Sequence, residues 1–223
     1  MRLDAVTRAA GSISLATGVY AVSFGVLSVA AGLSVAQTCV LSLFVFTGAS
    51  QFTYVSVLAA GGGAAAALPP AVLLAVRNGV YALSLKGVLR GGVGRRAVEA
   101  QIVIDESTAM AHAQEDPADK RRGFLLTGLG IYATWNLGTL VGALAGSGLG
   151  DPRDLGLDAL FPAVFLALLM PQLRRPGGIQ AAVGGALVAA ALVPLTPAGV
   201  PVMAAALVAV PVVVLQRRRA AAA

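Results

Sequence analysis

The sequence predicts an all-α integral membrane protein with six to seven transmembrane helices, built as two inverted three-helix repeats that include short or broken helices. Three observations predict it. Of 223 residues, 57% are hydrophobic and 12% charged, about half the charge of an ordinary soluble domain. The charges are also absent over long blocks: residues 9–76, 123–150, 159–173 and 176–216 hold no Asp, Glu, Lys or Arg. Any helix or strand in water needs a polar face, so these blocks exclude a soluble globular fold, and their hydrophobicity excludes a disordered chain. Finally, the blocks do not alternate apolar and polar residues, as the strands of a membrane β-barrel do over about ten positions.

A bilayer core about 30 Å thick takes roughly 20 apolar residues per helix. On that measure the first block holds about three spans, the second one, the third a short span or half-span, and the fourth two short ones. Span one is expected over Ser12–Ala31. Arg2 and Arg8 precede it as in a signal peptide, but the apolar run continues without a stop, which reads as a retained first span. Gly32, Leu33 and Ser34 form a tight break, span two covers Val35–Leu58, and Gly61–Gly63 make a turn. Span three starts at Pro69 and Pro70, since proline lacks a donor that would be orphaned at a helix start, and ends near Leu89.

Residues 91–122 form the one long hydrophilic segment, bracketed by Arg90, Arg95 and Arg96 at one end and Lys120, Arg121 and Arg122 at the other. Within it, Arg96–Gln114 is a candidate surface-lying helix. Span four covers Gly123–Gly146, segment five Ala159–Leu173, segment six Ile179–Leu195 and segment seven Val200–Leu215. The chain reads as a single transmembrane transporter domain over 1–223, with repeat-like halves at 11–90 and 123–195, linker 91–122 and an extra terminal helix 200–215. Gly32-Leu33-Ser34-Val35 opens span two much as Gly156-Leu157-Asp158-Ala159 opens segment five. Inverted repeats with Gly- and Pro-broken helices are the pattern of secondary transporters.

The formal net charge of +6 reads as orientation in a bilayer rather than as affinity for nucleic acid, because basic residues gather in cytoplasmic loops. The 90–122 loop, Arg174–Arg175 and Arg217–Arg219 are separated by two segments each, so all three fit the cytoplasmic side, the C-terminus included. Seven spans would then put the N-terminus outside, against Arg2 and Arg8, and a re-entrant segment in the first block would reconcile them. A single cysteine, Cys39, allows no internal disulfide and no cysteine metal cluster. No metal or other cofactor is expected.

Polar groups in hydrocarbon need partners or a wet cavity, so those inside spans mark candidate function. In span two, Thr47, Ser50 and Gln51 share a face, either lining a substrate path or packing against a neighbouring helix. In span three, Arg77, Tyr81 and Ser84 share a face and Asn78 adjoins them. A guanidinium this deep calls for an anion, which would be a substrate carboxylate or a protein carboxylate such as Asp105. Asp105 and Glu106 follow the apolar Ile102-Val103-Ile104. If the piece is helical, Asp105 and His112 stand seven apart on one face, where a carboxylate and a histidine could carry protons; a solvated surface helix is the alternative. In span four, Tyr132, Asn136 and Thr139 share a face and Trp135 lies mid-span, which suits an amphipathic substrate with an apolar side chain or hydrogen bonding between helices.

The run Ser42-Leu43-Phe44-Val45-Phe46-Thr47-Gly48-Ala49-Ser50-Gln51-Phe52 resembles the span-two signature of the AzlC family. Arg77 with Tyr81, Asp105-Glu106, Gly123, Trp135 and Thr139, and Gly156-Leu157-Asp158 occur in that family's order, and the resemblance covers roughly residues 11–175. It implies the large subunit of a branched-chain amino acid exporter in the bacterial inner membrane, with a short hydrophobic AzlD-type subunit as partner. Many family members carry His after the span-three Arg, where this chain has Asn78, so a proton role at that position is not carried over.

These readings combine into an expected function. The chain is a secondary transporter subunit that exports branched-chain or related neutral amino acids, driven by protons. Gln51, Arg77, Asn78, Tyr81, Trp135 and Asn136 bind substrate, with Arg77 on its carboxylate, and Asp105 or Glu106 carries the proton. An enzyme is not expected. His112 is the one histidine, too few for a zinc protease, and no span sets a base beside a serine nucleophile. A non-transporting membrane scaffold is the other alternative.

Overall fold

The computed structural model describes residues 4–148 and 160–221. Eleven helices and no strands occur among the described residues. They are α1 (Ala5–Ala30), α2 (Val35–Phe44), α3 (Ala49–Ala59), α4 (Ala64–Ser84), α5 (Val93–Ala100), α6 (Asp105–His112), α7 (Pro117–Gly148), α8 (Leu160–Leu173), α9 (Gly178–Leu192), α10 (Val200–Leu207) and α11 (Ala209–Ala221). Of these, α1, α4 and α7 are each long and apolar enough to cross a membrane, and shorter apolar helices accompany them. The opening of segment five at Gly156–Asp158, and with it the proposed repeat of Gly32–Val35, lies outside the described residues.

The chain packs as two compact units, one from Met1–Phe52 with Leu74–Asp151 and one from Thr53–Leu73 with Pro152–Ala223. The first unit is organised around α1 and α7. Gly138, Gly142 and Gly146 recur every four residues along α7, and their missing side chains let α1 come against the backbone. A Cβ on Gly138 would stand 2.2 Å from Gly18 O, and one on Gly142 2.0 Å from Val22 O. This is the small-residue contact by which membrane helices approach closely. Thr134 Oγ1 adds a bond to Ser14 O at 2.7 Å. Residue numbers rise together on both helices from Ser14 and Thr134 to Val26 and Gly146, so α1 and α7 run parallel. Their starts are joined by an ion pair between Asp4 and Arg122. Asp4 also caps α1 by accepting from Thr7 N at 2.8 Å, and both contacts hold its carboxyl below the usual carboxylate range, the Thr7 bond most.

A continuous span is expected over Val35–Leu58, and the structure breaks it between Phe44 and Ala49. Helix α2 starts at the capping box of Ser34 and Gln37 and has ten residues, which at 1.5 Å per residue is about 15 Å, half a bilayer core. The chain then turns back. Ser42 meets Thr139 and Phe46 meets Tyr132 nearer the start of α7, whereas Phe52 returns to Tyr20, Phe24 and Trp135. The segment just after α4 reaches the start of α7, where Arg121 Nη1 donates to Val88 O at 2.5 Å. Asp4, Val88 and Arg121–Arg122 therefore lie at one end of this unit, and α2 with the start of α3 forms a re-entrant turn.

Two further expectations shift. Pro69 and Pro70 sit inside α4 rather than at its start. Helix formation begins earlier because Ala66 N and Ala67 N both bond Gly63 O, and the alanines there are strong helix formers. The surface helix expected over Arg96–Gln114 is instead α5 and α6, separated by Ile102-Val103-Ile104. These three residues are buried, and Ile102 and Val103 join a core of Leu85, Val88, Ala111 and Phe124. Burial of that link outweighs one continuous surface helix. On α4, Val72, Val76, Val80 and Leu83 form an exposed apolar stripe, the kind of face that lipid covers.

In the second unit, α9 packs against α10 with Gly185 beside Ala205. The segment expected over Val200–Leu215 is divided at Val208 into α10 and α11.

Candidate functional site at the helix break

The break between α2 and α3 exposes backbone groups that helices normally pair internally. Gly48 takes φ +64°, a left-handed conformation that glycine adopts without steric cost. Gln51 then bridges the gap. Its Oε1 accepts from Gly48 N at 3.1 Å and its Nε2 donates to Leu41 O at 3.1 Å. The side chain is fully buried. Thr47 and Ser50 hydroxyls pair across the first turn of α3. Further along α2, Leu43 O accepts from Tyr132 Oη at 3.1 Å and from Gln101 Nε2 at 2.9 Å. Tyr132 is among the in-span polar residues that the sequence singles out, whereas Gln101 lies outside the spans and is missed, since its partners are backbone carbonyls freed by a break.

Arg77 projects from α4 onto this break. Its Nη2 donates to Thr47 O at 3.4 Å, and its Nη1 pairs with Asp105 Oδ2 at 3.0 Å. The pair is half-buried, with 36% of the Arg77 side chain and 42% of the Asp105 side chain exposed. Each partner still has one buried polar atom with no hydrogen-bond partner, Arg77 Nε and Asp105 Oδ1. Asp105 and Glu106 occupy the first turn of α6, where the helix dipole favours negative charge. Burial pushes the Glu106 carboxyl above its ordinary range, and the Asp105 charge adds to that, while Arg77 opposes it.

Asp105 and His112 share α6 but do not meet. Each turns to α4, Asp105 to Arg77 and His112 Nε2 to Ser84 Oγ at 3.1 Å. Both pairs are offset by 28 positions, so the second half of α4 and α6 run side by side in the same direction. Asn78 Oδ1 is buried without a partner. Tyr81 packs against the core around Leu85 and Phe124. Trp135 lies in an aromatic cluster with Tyr20, Phe24, Phe46 and Phe52, all ring centroids within 6.5 Å of it. Its indole Nε1 is buried and unbonded. Asn136 Nδ2 donates to Tyr132 O at 2.7 Å, leaving its Oδ1 unbonded. The structure thus brings Gln51, Arg77 and Asp105 to the break, sets Trp135 in the aromatic cluster beside it, and packs a partly buried Tyr81 against the core of Leu85 and Phe124.

The AzlC protein family model matches residues 12–149, more than half of the chain. The chain belongs to the AzlC family. Over 84% of its length it is 33% identical to an uncharacterized membrane protein of Archaeoglobus fulgidus, covering 83% of that protein. Over 75% it is 29% identical to the inner membrane protein YgaZ of Escherichia coli, covering 72% of it. A Helicobacter pylori uncharacterized membrane protein is 27% identical over 74% of this chain and 72% of its own. No solved structure matches.

This AzlC family member is a membrane protein, and every residue of the break and of the ion pair lies inside the matched region. One more cluster in that region escaped notice in the sequence. Glu99 on α5 is buried and bonds Arg121 of α7 through both carboxylate oxygens, Arg95 Nε at 3.1 Å and Arg90 N at 3.1 Å. The Arg121 bond above all holds its carboxyl well down, at about 2. The signal available was Glu99 standing four residues after Arg95 in a strongly basic stretch. The cluster ties α5 and the segment after α4 to α7, next to the ion pair of Asp4 and Arg122.

Proposed function

We propose that this AzlC family member is a secondary transporter subunit exporting branched-chain or related neutral amino acids across the bacterial inner membrane in exchange for protons. One observation carries the reading: the Arg77–Asp105 ion pair sits partway along an apolar helix, against a broken helix. Charges are costly at membrane depth and mark substrate and ion pathways there, and interrupted helices form the binding sites of secondary transporters. Arg77 receives the substrate carboxylate, Gln51 holds the break open, and Asn78, Tyr81, Trp135 and Asn136 shape the surroundings. Asp105 or Glu106 carries the proton, and the raised position of the Glu106 carboxyl supports a proton-binding role.

The end of the first unit bearing Asp4, Val88 and Arg122 also carries Arg8, Arg90, Arg95 and Arg96. By the positive-inside rule it faces the cytoplasm, which reconciles the basic N-terminus with the basic 90–122 segment. The C-terminus, after Arg217–Arg219, is assigned to the same side. A small AzlD-type membrane subunit completes the transporter. The experiment is efflux of labelled valine, leucine and methionine from cells making the chain with and without that subunit. Efflux above background with both present supports the reading, and background efflux of all three contradicts it.

A further inference from the structure

The Arg77–Asp105 pair has an inventory that suits a particular class of ligand. Arg77 spends one terminal nitrogen on Asp105 and the other on Thr47 O, and its Nε–H has no partner. Asp105 spends Oδ2 on Arg77, and its Oδ1 has no partner. One buried donor and one buried acceptor, on groups of opposite charge 3.0 Å apart, are left unpaired. Orphaned buried polar atoms are uncommon and costly, and each calls for an explanation. A lone anion would satisfy only the arginine and displace the aspartate into an unpaired state. A lone cation would do the converse. A zwitterion with adjacent carboxylate and ammonium satisfies both.

We propose that an α-amino acid enters this site by inserting its charged head between the two residues, carboxylate on Arg77 and ammonium on Asp105, so that a proton and the ammonium compete for the same carboxylate. This rests on the transport reading above and adds the ammonium subsite and the source of coupling to it. In the empty site Asp105 is the tethered stand-in for the substrate carboxylate, and Arg77 the stand-in for its ammonium. Opening the pair therefore strands neither charge. When Asp105 binds a proton, the ammonium loses its anionic partner and leaves, so proton and substrate are carried alternately. That alternation is what exchange of an internal amino acid for an external proton requires.

The charged groups on the elements around Asp105 are few. On its own helix Glu106 follows it, and His112 is engaged with Ser84. From α4 Arg77 faces it. At the start of α7 Arg121 is held by Glu99 and Arg122 by Asp4, with Lys120 beside them, and Glu115, Asp116 and Asp119 lie around the link into α7. Glu106, whose carboxyl burial raises, adjoins Asp105 in the chain and feels both members of the pair.

The test is binding of labelled valine to the full chain in lipid nanodiscs at pH 8 and pH 5, with two competitors. N-acetylvaline keeps the carboxylate and lacks the ammonium, and isobutylamine keeps the ammonium and lacks the carboxylate. The expected result is that unlabelled valine displaces the label and both competitors do so at least about tenfold less well. Valine affinity should be lower at pH 5 than at pH 8. Asp105→Asn should remove that pH dependence and Asp105→Glu should restore it. Displacement by N-acetylvaline as strong as by valine would overturn the ammonium subsite, whatever the variants do. An unchanged pH dependence in Asp105→Asn would overturn the competition. Valine efflux from cells alongside either of those results defeats this inference alone, whereas absence of both efflux and binding defeats the transport reading with it.

Discussion

Gln51 bonds Gly48 N and Leu41 O at 3.1 Å each, one on either side of the interruption between α2 and α3. One amide side chain thus supplies the acceptor that Gly48 N lacks at the break and adds a second bond to Leu41 O, which already accepts from Val45 N. Its buried position makes it the pin of the re-entrant turn on which Arg77 rests through Thr47 O. Leucine in its place would leave Gly48 N without that acceptor, at about 1–3 kcal/mol, whereas Leu41 O would keep its bond from Val45 N. Gln51→Leu is expected to lower the thermal unfolding midpoint of the purified protein and to reduce transport with it. A midpoint equal to that of the original chain would show that the break does not depend on this residue.

Helices α1 and α7 should tolerate no side chain at Gly142, because a Cβ there would meet Val22 O at 2.0 Å. Overpacking of this kind costs about 1–3 kcal/mol. Gly142→Val is expected to lose stability by at least that range, measured by unfolding in detergent. The same change at Gly79, where a Cβ meets nothing within 4 Å, should be far milder.

Two acids of the linker should leave opposite marks on stability against pH. The Glu99 carboxyl lies at about 2, below its ordinary 4.5, so its contribution is present above pH 4.5 and is lost as pH falls toward 2. Glu106 is shifted upward by burial. Its contribution is full below its ordinary range and is lost as pH rises through its raised value, so Glu106→Gln should stabilise the protein at pH 8 and change little at pH 4. Unfolding midpoints of Glu99→Gln, Glu106→Gln and the original chain across this range separate the two. Parallel pH curves for all three would contradict both assignments.

The re-entrant turn also fixes which ends of the first unit share a side. With Cys39 replaced by Ser, Thr7→Cys and Val93→Cys should both be shielded from a membrane-impermeant maleimide in intact cells and both be labelled in inside-out vesicles. Labelling of one from each side would mean that α2 and α3 together cross the membrane.

Much of this arrangement was legible in the residues, and the remainder was hidden for physical reasons. Long stretches without charge, such as 9–76, announce apolar helices because no soluble element can lack a polar face. Arg77 drew attention because an isolated guanidinium in such a stretch needs an anion, and Asp105 was among the partners it suggested. The break was masked because Val45-Phe46-Thr47 is as apolar as a continuous helix. Its signals were one glycine and a glutamine three residues on, whose meaning lies in backbone groups that a sequence does not display. The pair of prolines misled because alanines before them already propagate a helix from Gly63. A surface helix over Arg96–Gln114 would have to carry Ile102-Val103-Ile104, but three consecutive apolar residues cannot all lie on one face, and burying them splits the helix. Glu99 stands among arginines in a hydrophilic stretch, where an acid is ordinarily a solvated charge, whereas its bonds reach Arg90, Arg95 and Arg121.

The central claim is that the Arg77–Asp105 pair is the site of transport. The most direct measurement is efflux of labelled valine from cells producing Arg77→Ala or Asp105→Asn, with the amount of each protein in the membrane determined in parallel. Efflux falling to background in both at normal protein levels is the predicted result, and wild-type efflux in both would contradict the assignment.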